Sequence, residues 1–358
     1  MKYLYEQYLG FDKTSFEHQT LFFLGTSVVV LFLLALCFAL FALLLRRGHN
    51  QRELLWKRLH ELWDKDILNV LSGDMSPAEF LKLVRHEDEL DFVRYLMPYG
   101  WRLRGSDLVT LKSLALHYLP HVAPRLQARD AGVRIWAMNV ISVFGMPEYE
   151  QAAFAALQDK SPAVAMAAAT ALLAQKHVSY IPRVMDHFHR FDKWNLHKLA
   201  SLLSGMGPDA IPLLENIYLD PARPVRTRII AAQALINYAD YPVADSAADQ
   251  LGTDQDPELI VATLRLLREV GQQYHSVAVR AICNAPLEFL RVNALRTLRA
   301  LCTSEDYAIF LRALDDPSPW VARQAVYGMK DLGGHAALEQ LVRDGHPRAA
   351  LVRQILAE

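Results

Sequence analysis

Apolar and polar positions along the chain form two patterns. Between Leu21 and Leu45, 25 consecutive residues carry no charge. From about residue 105, polar turns that contain Asp or Pro alternate with short apolar stretches, with a period of about 31 residues. Apolar residues three and four apart predict helices, and a fixed period of this length predicts stacked helix pairs. We therefore predict an all-α protein with a single N-terminal transmembrane helix followed by an α-solenoid.

Seven windows of 20 residues display the repeat. Each opens with a polar turn and continues into a small apolar helical stretch, and another helical stretch separates it from the next window. Asp in the turn is expected to cap the second helix of the pair, and Pro suits its first turn. The repeating unit is therefore a helix, a short turn and a second helix. The windows begin at Leu126, Leu157, Phe188, Leu219, Gly252, Ile282 and Leu314.

The apolar run is long enough to span a bilayer and too long for the core of a signal peptide. We expect residues 1–20 to be a short extracytoplasmic N-terminus and 21–45 to be the membrane helix. Positive charge crowds on the C-terminal flank, which predicts a single-pass protein of the cell (inner) membrane with the repeats in the cytoplasm. The flank sets topology or contacts lipid headgroups, so the bilayer is a predicted partner. Its basic residues are Arg46, Arg47, Arg52, Lys57 and Arg58.

Residues 46–104 lack the repeat signature and are predicted to form a juxtamembrane helical linker that caps the solenoid. A first amphipathic helix is expected over 51–72, and Ser76 is expected to cap a second one that stops near Pro98. In an alternative interpretation, tryptophans of this segment hold a partner near the membrane. The face of the first helix carries Leu55, Leu59, Leu62 and Asp66, and the tryptophans are Trp56, Trp63 and Trp101.

Composition limits the classes of function. The 358 residues have a formal net charge of −1, which is not typical of a nucleic-acid-binding protein. The three cysteines are scattered, which argues against a disulfide framework or a zinc site and suits a reducing compartment. We predict no cofactor, no metal and no nucleic-acid partner.

Two local clusters suggest chemistry, but a structural explanation suffices for each. The Asp254-Gln255-Asp256 triplet falls where other repeats place their turn Asp, which favours helix capping over sugar-nucleotide binding. A histidine-rich stretch resembles a metal site, but residues two apart on a helix point to different faces. No phosphate-binding or nucleophile motif occurs, so we predict no catalytic residues and no enzyme. The histidine-rich stretch contains Asp186, His187, His189, Asp192 and His197.

The window from Leu314 to Gly333, LDDPSPWVARQAVYGMKDLG, resembles the HEAT-repeat consensus in its short bacterial form. The Leu157 window matches without an arginine, and the Phe188 and Ile282 windows depart further. The resemblance covers 105–358, about eight units of ~31 residues, and implies a protein-binding scaffold. It also leaves two alternatives open: an accessory subunit of a membrane glycosyltransferase in exported polysaccharide synthesis, or a HEAT-like lyase or other enzyme. The matching residues are Asp316, Pro319, Val321, Arg323 and Ala325.

In solenoids of this kind the second helices line the concave surface, and arginines recur early in them. The arginines either bridge neighbouring repeats or form a binding strip with tryptophans, since Arg and Trp dominate interface hot spots. We predict a membrane-anchored cytoplasmic scaffold or adaptor that docks a protein partner, as an accessory or regulatory subunit of a membrane complex. Its candidate partner-binding residues are Arg134, Trp194, Arg228, Arg291, Trp320 and Arg323.

Overall fold

A computed structural model describes the backbone of residues 16–191, 194–253 and 256–358. The side chains of 16–21, 42–53 and 147 are outside the description, as is the predicted N-terminal segment before residue 16. Every described element is helical, with twenty α-helices and six short 3-10 helices. The predicted all-α class is therefore confirmed. The chain divides into two compact units, Met1–Asp88 and Glu89–Glu358, so the boundary falls inside the predicted 46–104 linker.

The first unit is dominated by a single helix, α1, which runs from Phe16 to Ser72. At 1.5 Å per residue it is about 85 Å long. Two separate helices were expected here, but the segment contains no proline, and Gly48 alone costs only about 1 kcal/mol. The part Phe22–Phe41 has a mean hydropathy of 2.7 and is not buried, and its length and composition suffice to cross a membrane.

The C-terminal half of α1 has a buried stripe that differs from the predicted one. Leu59, Trp63 and Ile67 are almost fully buried, whereas Leu55 and Leu62 are exposed. The buried residues lie four apart, on one face of a helix. Because Trp63 is only 3% exposed, it is not available to a partner.

The capping signal that follows α1 is confirmed. Helix α2, Pro77–Leu81, begins after Ser76, whose hydroxyl accepts a hydrogen bond from the Glu79 N–H at 3.2 Å. In return the Glu79 carboxylate accepts from the Ser76 N–H at 3.0 Å. This backbone bond, with the Ser76 hydroxyl, lowers the pKa of Glu79. The sequence order S-P-A-E thus encodes a reciprocal capping box.

The single helix that was predicted from Ser76 to near Pro98 is divided into α2, a 3-10 helix and α3. Helix α3, Glu89–Arg102, begins the second unit and continues past Pro98. Helices α4, Gly105–Leu116, and α5, Leu119–Val122, follow. Short 3-10 helices occur at His86–Asp88, Ala123–Gln127, Phe188–Phe191, Pro208–Ala210, Gln273–His275 and Ser304–Asp306.

From α6 onward the chain repeats a simple pair, in which the first helix is never longer than the second. The first helices are α7 Met146–Ala156, α9 Tyr180–Met185, α11 Ile211–Leu219, α13 Val243–Leu251, α15 Ser276–Ile282, α17 Tyr307–Ala313 and α19 His335–Arg343. The second helices are α6 Ala131–Phe144, α8 Pro162–Leu173, α10 Leu196–Ser204, α12 Val225–Tyr238, α14 Pro257–Val270, α16 Glu288–Leu301, α18 Pro319–Asp331 and α20 Ala349–Ala357.

The second helices form one layer, since each packs against its neighbours before and after it and most pack against the first helix of their own pair. One continuous apolar core runs through these pairs. Small residues permit close approach: Ala165, Ala168 and Ala169 of α8 are buried, as expected from the alanine-rich sequence. Gly328 of α18 lies so close to Phe310 that an added Cβ would be 2.3 Å from its ring. The second helices are therefore closely packed against their neighbouring helices.

Candidate partner-binding face

Two of the turn aspartates cap second helices as predicted. The Asp130 carboxylate accepts from the Val133 N–H at 3.0 Å and starts α6. The Asp256 carboxylate accepts from the N–H groups of Glu258 and Leu259 at 2.9 and 3.1 Å and starts α14. Asp254 and Gln255 are outside the described residues, but capping accounts for the one described aspartate of the triplet.

Two other turn aspartates have a different role from the predicted one. Asp159 receives a double hydrogen bond from Arg134 of the preceding repeat, with Nε–Oδ2 and Nη2–Oδ1 distances of 2.8 Å. The remaining nitrogen, Nη1, donates to the carbonyls of Ala128 and Arg129 at 2.7 and 3.0 Å. Arg134 is only 4% exposed. We call this unit an Arg–Asp clasp, and it joins one repeat to the next.

The same clasp recurs further along the solenoid. Arg291 binds Asp316 through Nε and Nη2 at 2.8 and 2.9 Å, and its Nη1 donates to the carbonyls of Ala285 and Pro286, both at 3.0 Å. Burial alone would raise the pKa of Asp316, but the Arg291 bonds and a Ser318 N–H hold it below its usual range. The clasps therefore favour the bridging interpretation of these arginines over the binding strip.

The four predicted arginines do not share one position. Arg134, Arg228 and Arg291 are each the fourth residue of their helix, whereas Arg323 is the fifth residue of α18. Arg228 is 5% exposed and donates to the Tyr218 carbonyl at 2.8 Å. The arginines at the fourth position therefore bind groups of the fold itself, and we no longer regard them as candidate partner contacts. Arg323 is about one-third exposed and stays a candidate.

Other side chains also bind the backbone of a neighbouring repeat. The Gln175 amide donates to the Ser142 carbonyl at 3.1 Å, and the Thr297 hydroxyl donates to the Leu264 carbonyl at 2.9 Å. The Tyr238 hydroxyl lies 2.9 Å from the Leu203 carbonyl. Each partner is one period away along the chain. Polar residues between repeats therefore serve mainly to fix the stacking of the helix pairs.

The two predicted tryptophans do not occupy matching positions. Trp194 precedes the N-cap Asn195 of α10 and packs edge-on against Phe191, with ring centroids 6.3 Å apart. Trp320 is the second residue of α18 and is 61% exposed. The corresponding second residue of α16 is Phe289, which is 45% exposed. An exposed aromatic pair therefore marks the N-terminal ends of these adjacent helices.

We call the solvent-facing side of the second helices α12, α14, α16 and α18 the open face. The ninth residue of each helix points to it: Gln233, Arg265, Arg296 and Tyr327. Arg265 and Arg296 are exposed, and in the described part of the chain neither guanidinium has a hydrogen-bond or ion-pair partner.

These two arginines were missed by the sequence analysis. The signal was present, because residues 265 and 296 are one period of 31 apart. They lie five positions after the fourth position, a rotation of about 140° around the helix axis. The turn motif marks only arginines near the start of a helix, whereas exposure depends on the side of the helix that each arginine occupies.

A shallow depression with an apolar floor lies beside Arg265 on the open face. Ile229 and Ile236 of α12 and Ala262 of α14 form the floor, and His197 and Gln233 contribute polar edges. Helix α10 has only nine residues, five fewer than α12 or α14, so the depression is open on that side. An apolar floor with a few polar edges is typical of a surface that accepts a side chain.

The histidine-rich stretch does not converge on a point. The Nδ1 atoms of His187 and His189 lie 2.8 and 2.9 Å from the carbonyls of Arg183 and Asp186. The Asp186 carboxylate accepts a hydrogen bond from Arg223 at 2.6 Å. Among the described residues, which exclude Asp192, no group of three or more potential ligands could hold a metal ion.

The basic flank of the apolar run is only partly visible. The side chains of Arg46, Arg47 and Arg52 are outside the description, and Lys57 and Arg58 are exposed on α1. Their predicted role in topology or headgroup contact stays a prediction.

No protein-family model matches the chain, and a search of curated proteins found no match. Among solved structures it is similar to Kap121p. A Kap121p mutant matches with a TM-score of 0.42 and 15% identity over 84% of this chain and 40% of that chain. Kap121p bound to RanGTP matches with a TM-score of 0.39 and 15% identity over 83% and 39%. The chain thus spans about two-fifths of the length of those structures, and a likeness this low carries no argument about what it binds.

Proposed function

We propose that this chain is a membrane-anchored scaffold that docks a protein partner on its open face. The observation that carries the proposal is the pair Arg265 and Arg296, two exposed guanidiniums that have no partner among the described residues, whereas most other arginines of these helices bind groups of the fold. An apolar depression adjoins them. Charged and apolar contacts side by side are the composition of a binding hot spot.

The anchor is part of the same proposal. The length and hydropathy of the Phe22–Phe41 segment support the anchor. The basic flank that follows favours an orientation with the solenoid in the cytoplasm of a single-pass inner-membrane protein. Tethering raises the effective concentration of the open face toward membrane-bound partners. The proposed role is that of an accessory or regulatory subunit without a catalytic step. No observation favours the glycosyltransferase or lyase alternatives, and they stay predictions.

The docking role is tested by capture from native membranes. We expect mild-detergent purification of the full chain with in-cell cross-linking to recover a stoichiometric protein. The Arg265→Glu/Arg296→Glu variant should lose it, whereas Arg312→Glu on the first helix α17 should retain it. A chain that elutes alone at its own mass, or capture that both variants retain, would contradict docking on the open face.

The anchor and its orientation need a separate test. Reporter fusions after Glu358 should report a cytoplasmic location, and the full chain should resist extraction from membranes by alkali. Release by alkali would contradict the anchor, and an external reporter signal would contradict the orientation.

A further inference from the structure

We propose that the open face binds an extended acidic segment of a protein. In this segment one apolar residue and two acidic residues are spaced three residues apart, with the apolar residue either first or last. The apolar side chain enters the depression between α12 and α14, and the carboxylates bind Arg265 and Arg296. This inference rests on the proposed docking function and specifies the chemistry of the partner.

Charge selects a carboxylate-bearing occupant. The guanidiniums of Arg265 and Arg296 are exposed and have no partner among the described residues, and a guanidinium can form two parallel hydrogen bonds with a carboxylate, the anionic group that protein side chains provide. The adjoining Arg299 is already bound to Asp331 at 2.8 Å and Gln324 at 3.2 Å. Within the open face of α12, α14, α16 and α18, Arg265 and Arg296 alone do not make the basic stripe that nucleic acid requires, and the chain has a net charge of −1.

Spacing selects the conformation of the occupant. Arg265 and Arg296 hold the same position in adjacent helices, and packed helices lie about 8–10 Å apart. In a polyproline II segment, residues three apart point the same way and are about 9.3 Å apart. In a β-strand, residues pointing the same way are roughly 6.6 or 13 Å apart, which misses this distance. The geometry therefore favours acidic residues three apart in a polyproline II segment.

The depression supplies the third contact. It lies on the α12 side of Arg265, so a side chain three residues from the first carboxylate reaches its floor of Ile229, Ile236 and Ala262. A helical occupant would match the arginine spacing only through residues seven apart. Its backbone, inside a cylinder about 10–12 Å wide, would stand away from the shallow floor. A narrow extended segment places its backbone closer.

The test uses the full chain in detergent micelles and fluorescein-labelled synthetic peptides. The probe has the order Leu-Ser-Pro-Glu-Ser-Pro-Glu, a second peptide has the reverse order, and a third has the same composition with the two glutamates adjacent. We expect one of the first two to bind at least tenfold more tightly than the third, by fluorescence anisotropy. Binding should weaken as salt rises, because exposed ion pairs are screened.

Matched variants locate the binding surface. Arg265→Gln and Arg296→Gln should each weaken binding of the probe about fivefold to tenfold, the effect of losing a charge-assisted hydrogen bond at an exposed site. Arg312→Gln, an exposed arginine of α17, should leave it unchanged. Unfolding temperatures of all three variants should match, so that a loss of binding is not a loss of fold.

Several results would overturn the inference. Equal binding of the adjacent-glutamate peptide would contradict the three-residue spacing. Tighter binding of an alanine-based helical peptide with glutamates seven apart, or of a single-stranded oligonucleotide, would replace the extended acidic segment by another class of partner. If the peptides fail while partner capture still depends on Arg265 and Arg296, the docking role stands and this inference does not. If capture ignores both arginines, the docking role itself fails.

Discussion

Arginines occur at the fourth position of some second helices and at the ninth position of others, and the two sets have opposite environments. At the fourth position, all three guanidinium nitrogens of Arg134 and of Arg291 donate hydrogen bonds within the fold. In each case Nε and Nη2 donate to an aspartate and Nη1 donates to two backbone carbonyls. At the ninth, Arg265 and Arg296 extend into solvent with no partner in the described part of the chain. Five residues turn a helix by about 140°, from the inter-repeat side to the open face.

The difference shows that arginine content alone does not locate a binding surface in a repeat protein. An arginine that is satisfied within the fold contributes to stacking of the repeats, because breaking a buried pair leaves an uncompensated charge. An unsatisfied one has its hydrogen-bonding capacity available to a partner. The decisive quantity is the angular position of the residue on its helix.

The largest expected effect is on the clasp. Arg134→Ala should destabilise the fold by about 3–5 kcal/mol, because it leaves the Asp159 carboxylate, which is only 14% exposed, without its cation. Arg265→Ala, the matched control on the open face, should change stability by no more than about 0.5 kcal/mol. Denaturant unfolding of the full chain in detergent measures both, and similar losses in the two variants would contradict the contrast.

The clasp should also be visible in the pH dependence of that loss. Burial alone would raise the pKa of Asp159, but the Arg134 and Ser161 hydrogen bonds hold it below its usual range. A carboxyl with a lowered pKa contributes stability above its unfolded pKa and loses it as pH falls through the folded value. The stability gap between Arg134→Ala and the parent chain should therefore narrow in acid.

A buried carboxyl without a clasp provides the converse case. Burial raises the pKa of Asp240 and of Glu215, the neighbouring Asp240 raises that of Glu215 further, and Asp240 Oδ2 has no hydrogen-bond partner among the described atoms. Groups with raised pKa contribute stability below their unfolded pKa and lose it as pH rises.

Asp240→Asn should therefore stabilise the chain near pH 7, by an amount on the order of 1 kcal/mol. The gain should shrink as pH falls from 7 toward 4, because the raised pKa values let Asp240 and Glu215 take up protons in the parent chain. Thermal unfolding at the two pH values measures it, with Asp209→Asn on the exposed surface as the control. A loss of stability at pH 7 would show that the carboxylate of Asp240 is favourable in place.

The smallest effect is expected at the fifth position. Arg323 is about one-third exposed and lies 3.5 Å from the Glu358 carboxylate, and exposed ion pairs contribute little to stability. Arg323→Ala should therefore leave the denaturant concentration at the midpoint of unfolding unchanged. A loss of stability comparable to that of Arg134→Ala would contradict the expected difference between an arginine at the fourth position and one at the fifth position of its helix.

The helix pairs were predictable because several separate sequence features indicate the same period. Turn residues, alanine-rich second helices and the caps Asp130 and Asp256 all indicate the same boundaries. The all-α class followed from the same pattern. The site was less predictable, since windows aligned on their turns place Arg323 with Arg291, whereas the helix starts separate them by one residue, about 100° of rotation.

Other differences have equally local causes. The buried stripe of α1 includes Trp63 and not Leu62. In the sequence both residues continue a series of apolar positions three or four apart, so the spacing alone does not decide which of them is buried. Asp159 and Asp316 look like caps in sequence, but their hydrogen bonds go to arginines 25 residues earlier and to a serine N–H two residues later. Such long-range partners become visible only when the repeats are stacked.

The measurement that tests the central claim most directly is site-specific photo-cross-linking in native membranes. A photoreactive side chain at Ala300, exposed one turn beyond Arg296 on α16, should form an adduct with a protein partner. The same side chain at Ala281, exposed on the first helix α15, should form none, and Arg296→Glu should abolish the adduct at Ala300. No adduct at Ala300, or equal adducts at both alanines that persist in Arg296→Glu, would contradict the account.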